Sequence, residues 1–156
     1  MSEITKNTVA LIACCKRKLE TTVPVAAETL YCGQLFQAQL AYARKALKLP
    51  DERIYVLSAR YTLVPIQEEI LPYEATLANR GVKQRVAWGS CVVSMLRRNE
   101  CHYPYNTQFA MMAGRLYQEG LVLYLRHYGY EWSVPHPKGL GYGQQVAWYQ
   151  REVNDE

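Results

Sequence analysis

The segment Thr8 to Cys15, TVALIACC, is an unbroken apolar run that ends on Lys16, Arg17 and Lys18. A run without polar alternation predicts a strand buried on both faces of a parallel sheet. Helical spacing follows at Leu35, Phe36, Leu40, Ala43 and Leu47, and Pro50 stops that helix. Arg53 to Ala59, RIYVLSA, predicts a second strand. Residues 60–77, RYTLVPIQEEILPYEATL, hold no sustained period and read as a long irregular loop, a kind of segment that is often functional in a compact domain. Residues 80–99 predict an amphipathic helix, with Val82, Val86, Val93 and Leu96 on one face and Arg80, Lys83, Arg97 and Arg98 free to stay in solvent. TQFAMMAG, closing on Gly114, predicts a third strand. RLYQEGLVLYLRHYG predicts a helix with Leu116, Leu121, Leu125 and Tyr128 near one side and Gly129 as its C-terminal cap. YEWSVPH is a short fourth strand, and KGLGYGQQVAWYQRE begins glycine-rich and becomes a helix carrying Val146 and Trp148.

Strand and helix alternate along the chain, so a single α/β domain over residues 1–156 is expected. The expected architecture is a three-layer sandwich around a mainly parallel four-stranded sheet, with right-handed crossovers. No internal repeat or linker interrupts it. In such sheets ligands bind outside the carboxyl ends of the strands. That rule selects CCKRK, SARYT, AGRLY and PHPKGLGYGQQ, with the loop that hangs from the second strand.

Composition narrows the partners. Of 156 residues 49% are hydrophobic, which excludes disorder, and no apolar run reaches the ~20 residues of a membrane helix. The N-terminal residues lack a signal-peptide pattern. A soluble, cytoplasmic monomer without a membrane partner is expected. Five cysteines, Cys14, Cys15, Cys32, Cys91 and Cys101, are an odd number without a C-x-x-C pair, and they read as reduced thiols. A zinc site at His127 or His136 has no support from spacing, so neither metal nor cofactor is expected. The net charge of +4 is compatible with a phosphate-bearing partner. Thirteen tyrosines stand against two phenylalanines, and a tyrosine ring can stack on a base as readily as it can sit half-buried at the end of an element.

Several residues at the strand ends carry chemistry. Lys16 and Lys18 can hold phosphate, or they can form a solvated basic turn. Cys14 or Cys15 can serve as a nucleophile if nearby cations stabilise its thiolate, or as a small buried hydrophobe. Ser58 and Arg60 can bond a base or phosphate, or can cap the strand and pair with Glu68 or Glu69. Gly114 permits close approach of a ligand at a helix N-terminus, and a tight turn needs glycine equally. GLGYGQQ is not a dinucleotide fingerprint, yet Gln144 can read a base edge. Glu74 is the best single carboxylate for breaking an N-glycosidic bond, with Tyr73 beside it to stack on an extruded base. The competing role for this stretch is the start of a helix, with Thr76 as its cap and acidic residues near its N-terminus.

In order along the chain stand Cys14 and Lys18; Leu30, Tyr31 and Phe36; Leu57, Ser58 and Ala59; Pro72, Tyr73, Glu74, Thr76 and Leu77; Ala113, Gly114 and Tyr117; and Gly141, Gly143, Gln144, Gln145 and Trp148. Together they resemble a family of small bacterial and phage proteins known only as a domain of unknown function. Departures occur at Tyr61 and Thr62, where the family has histidine and glycine, and at Glu74, where it has aspartate. The resemblance implies a fold related to uracil-DNA-glycosylase-like proteins. It is also similar to antiphage DNA glycosylases that excise glucosylated hydroxymethylcytosine from T-even phage DNA. On that basis a monofunctional DNA glycosylase is expected. Glu74, Ser58 and Tyr73 would be catalytic. Cys14, Lys16, Lys18, Tyr31, Arg60, Tyr61, Thr76, Gly114, Tyr117 and Gln144 would bind substrate or DNA. The alternatives are a hydrolase or transferase acting on a free modified nucleotide, and a non-catalytic module that senses nucleic acid.

Overall fold

The structure, a computed structural model, describes residues 7–98, 103 and 106–155, so Cys101 lies outside the described residues. The strands are β1 (Thr8–Ala13), β2 (Val25–Ala26), β3 (Ile54–Ser58), β4 (Thr62–Pro65), β5 (Glu69–Ile70), β6 (Gln108–Met112) and β7 (Glu131–Ser133). The helices are α1 (Ala27–Leu30), α2 (Gln34–Ala41), α3 (Val82–Arg98), α4 (Arg115–His127) and α5 (Tyr142–Asn154). No helix among the described residues is long and apolar enough to cross a membrane.

The main sheet has the order β4-β3-β1-β6-β7. Strands β3, β1, β6 and β7 run parallel, as the alternation of strands and helices predicts. The sheet is nevertheless five-stranded and mixed, because part of the expected loop pairs back antiparallel on β3 as β4. Pro65 ends that strand at the sheet edge, where a missing N–H is tolerated. A further two-stranded ribbon, β2 with β5, ties the first loop to the segment after β4.

Alternation within the buried strands divides the core. Ala10 and Ile12 of β1, Val56 of β3 and Met112 of β6 face α1, α2 and α5. Val9, Leu11, Tyr55, Phe109 and Met111 face α3 and α4, meeting Trp88, Val92, Leu96, Leu121 and Leu125. The result is the expected three layers, each face burying one period-2 set of side chains. Helices α3 and α4 approach so closely that a Cβ on Gly89 would lie 2.5 Å from the Gly120 carbonyl carbon, and one on Gly120 would lie 2.5 Å from the Arg85 carbonyl oxygen. The helix predicted from Leu35 continues past α2 as one wide π-helical turn, Tyr42–Ala46, before Pro50.

Topology sets the position of the site. Strand β1 leads to helices on one face of the sheet, whereas its neighbour β6 leads into α4 on the other. The carboxyl ends of β1 and β6 therefore flank a switch point, where the two connections diverge and leave a crevice.

Candidate active site

Ser58 ends β3 with its side chain fully buried. Its Oγ accepts the backbone N–H groups of Arg60 at 3.2 Å and Tyr61 at 2.8 Å, which closes the turn into β4. Both acceptor positions are thus used, so the Ser58 hydroxyl donates to the Tyr73 hydroxyl, 2.8 Å away. The Tyr73 hydroxyl also hydrogen-bonds the Tyr31 hydroxyl at 2.7 Å. The Trp88 indole holds the same strand end from below, donating to the Ser58 carbonyl at 2.9 Å.

This chain of hydroxyls anchors the loop that sequence reasoning singles out. Tyr73 is half-buried. The Lys18 ammonium stands 4.5 Å from its ring centroid, and the Tyr61 ring meets it edge-on at 5.3 Å. Burial raises the pKa of Tyr73 far above its ordinary value and that of Tyr31 to about 12, so both phenols are neutral donors and acceptors at physiological pH. At the end of β1, Cys14 Sγ lies 3.1 Å from the Tyr117 hydroxyl, and the Tyr117 ring packs edge-on against Trp88. Burial likewise raises Tyr117. It also raises the Cys15 thiol, which argues against Cys15 as a ready thiolate.

Two clefts meet at Cys14, Cys15 and Lys16. The first, about 780 Å³, runs over Lys18, Tyr73, Glu74, Thr76, Asn79 and Tyr117. Glu74 is exposed on its rim and has no hydrogen bond or ion pair among the described residues. The second, about 550 Å³, opens at the switch point between β1 and β6. Its walls include Phe36, Gln39, Gly114, His136, Gln145 and Tyr149.

The expected residues divide by position. Cys14, Lys16, Lys18, Tyr73, Glu74, Thr76, Gly114 and Tyr117 all line one cleft or both. Thr76 also performs the competing role: its hydroxyl accepts from Ala78 N at the start of a short 3₁₀ turn, Leu77–Asn79, rather than of α3 itself. Ser58 and Tyr31 line neither cleft and lie buried behind Tyr73. Direct contact of Ser58 with substrate is therefore corrected to a positioning role, and Tyr31 cannot stack on a base. Tyr61 braces Tyr73, and its hydroxyl donates to the Leu71 carbonyl at 3.4 Å. Arg60 is exposed beside Tyr61, with its guanidinium 5.7 Å from that ring, and lines neither cleft. Gln144 is spent on structure, since its side-chain oxygen accepts from Gly141 N at 2.9 Å and caps α5. The next residue, Gln145, faces the second cleft instead.

Sequence reasoning missed Gln39, His136 and Tyr149 at the second cleft. One signal for Gln39 was available, a glutamine on an otherwise apolar helix face beside Phe36 and Leu40. His136 stood within the selected segment PHPKGLGYGQQ without being singled out for this cleft, and the separation of Tyr149 from the β1 end hides the rest.

Residues 9–151 match the profile of a family described as a family of unknown function (DUF6884). No curated protein and no solved structure matches the chain.

Proposed function

The chain belongs to that family of unknown function, and from the chemistry of its clefts we propose that it is a monofunctional DNA glycosylase acting on a flipped-out, modified base. The observation that carries this reading is the unpaired Glu74 carboxylate on the rim of a cleft whose other charged groups are the cations Lys16 and Lys18. Breaking an N-glycosidic bond builds positive charge on the sugar, and a free carboxylate at that point stabilises it. Flanking ammonium groups hold the phosphates on either side.

In the proposed reaction the bond from the anomeric carbon to the base breaks, and the base leaves with the electron pair. Water adds to the anomeric carbon and loses a proton to Glu74 or to solvent, and the departing base takes up a proton from solvent. The product is an abasic site and a free base. Tyr73 supplies a flat wall, held by Ser58 and Tyr31 so that it does not turn with the substrate. Extruding the base costs a few kcal/mol of unstacking, offset by contacts inside the clefts. No step needs a metal or cofactor. The three-layer sheet with its site at the strand carboxyl ends supports kinship with uracil-DNA-glycosylase-like folds. Within that kinship, glucosylated hydroxymethylcytosine in phage DNA is the substrate we put first, with antiphage defence in the cytoplasm as the setting and a monomer as the working form.

One observation favours a second reading. Arg60 lies outside the clefts, so Lys16 and Lys18 are the cations that line them, enough for the phosphate of a mononucleotide without an extended basic surface. A hydrolase of free modified nucleotides needs no such surface.

The test is incubation with matched DNAs carrying cytosine, hydroxymethylcytosine or its glucosylated form. Alkali then breaks abasic sites, and mass spectrometry detects released base. Release from modified DNA alone establishes the activity; turnover of mononucleotides, with no salt-sensitive duplex binding, would favour the second reading.

A further inference from the structure

The proposed reaction uses the cleft over Tyr73 and Glu74 and leaves the second cleft without a role. Its position, at the divergence of β1 and β6, is where open α/β sheets bind their ligands. Its volume, about 550 Å³, falls within the range of about 300–1,000 Å³ typical of small-molecule sites.

Gln118, Gln145 and Tyr142 on its walls bond neighbouring backbone, but two other polar side chains are unspent. The Tyr149 side chain is 0% exposed, yet its hydroxyl closes no hydrogen bond; Gln39 and the His136 backbone approach it without doing so. Neither ring nitrogen of His136 has a partner, and both are shielded from solvent. Gln39 is 5% exposed on the same wall. Buried polar groups without partners are uncommon in native proteins, and several on one cleft wall argue for a ligand that satisfies them. All of these groups are uncharged: burial lowers the His136 pKa, leaving one donor and one acceptor nitrogen, and raises that of Tyr149, keeping its proton. Phe36, Leu35, Met112 and Val134 supply apolar walls. Uncharged donors and acceptors between apolar walls suit a flat, neutral heterocycle better than a phosphate or a carboxylate.

We propose that the second cleft is the base-reading pocket, in which Tyr149, His136 and Gln39 hydrogen-bond the edge of the nucleobase and determine which base is accepted. The inference rests on the glycosylase reading for the identity of the ligand. Cys14, Cys15 and Lys16 then form the sill between the base and the sugar-phosphate held over Tyr73 and Glu74.

Free nucleosides separate this inference from the reaction, because they need no excision to bind. Deoxycytidine, hydroxymethyldeoxycytidine, thymidine, deoxyadenosine and deoxyguanosine would be titrated into the full-length protein, with binding followed by calorimetry and by backbone amide shifts. The expected result is a preference for one base, with shifts at Gln39, His136 and Tyr149. Tyr149→Phe keeps the ring that packs on Tyr42 and Trp148, so folding is retained. It should weaken the preferred nucleoside about two- to tenfold, the worth of one hydrogen bond. Equal affinity in Tyr149→Phe and wild type, shifts confined to the Tyr73 side, or no nucleoside binding would each overturn the pocket assignment. Excision unaccompanied by these effects would sink the pocket and leave the glycosylase standing; base-selective binding without excision would do the reverse.

Discussion

The Tyr73 hydroxyl stands 2.8 Å from Ser58 Oγ, and that contact joins the candidate catalytic loop to the end of a central strand. The serine oxygen also accepts two backbone N–H groups. Ser58→Ala therefore removes three hydrogen bonds at a buried position. A loss of about 1–3 kcal/mol is expected in urea denaturation, because the N–H groups and the Tyr73 oxygen lose their partner. DNA affinity should change little, and base release should slow as Tyr73 loosens.

Tyr31 gives a pH prediction. Its folded pKa, about 12, lies above the ordinary 10.0 because burial disfavours the phenolate. A raised folded pKa means the unfolded chain releases this proton first. The stabilisation is complete below pH 10 and is lost as pH rises from 10 toward 12. Tyr73, Tyr117 and Tyr149 shift in the same direction. Absorbance of tyrosinate against pH should show exposed rings titrating first and this buried group only as the protein unfolds. Tyr31→Phe should move alkaline unfolding to higher pH.

Thr62 occupies the left-handed region, with φ of 72°, directly after the turn that Ser58 closes. A β-branched residue is strained there. The resemblance places glycine at this position, which relieves the strain. Thr62→Gly should stabilise the fold by about 1 kcal/mol after the entropy of glycine is counted, read as a higher thermal midpoint.

Gly120 tests the packing of α3 on α4. A methyl group there meets the Arg85 carbonyl oxygen at 2.5 Å, and backbone cannot swing aside as a flexible side chain does. Gly120→Ala should cost about 1–3 kcal/mol in the same denaturation assay.

These positions also show what the chain reveals before it is folded. The four parallel strands were legible because buried strands leave continuous apolar runs, such as TVALIA and IYVLS. β4 was not, because Pro65 and the flanking polar residues masked a short edge strand whose Leu63 and Val64 face opposite layers. Within the site, Cys14, Lys18, Tyr73 and Tyr117 were legible from strand ends and a familiar order of motifs. Their division of labour was not, since the burial of Ser58 and Tyr31 depends on contacts across the sheet. Gln144 and Gln145 are adjacent and chemically identical, yet Gln144 caps Gly141 while Gln145 donates to the Leu140 carbonyl and lines the second cleft, a division that only the folded loop decides.

The central claim is that Glu74 carries N-glycosidic bond cleavage, and single-turnover base release by wild type and Glu74→Gln on the same modified DNA tests it most directly. The substitution removes the charge and keeps the shape of a side chain already exposed on the rim, so folding should be unaffected. The account predicts base release from wild type, loss of release by at least about a hundredfold in the variant, and DNA binding near normal in both. Equal release by the two proteins would contradict it.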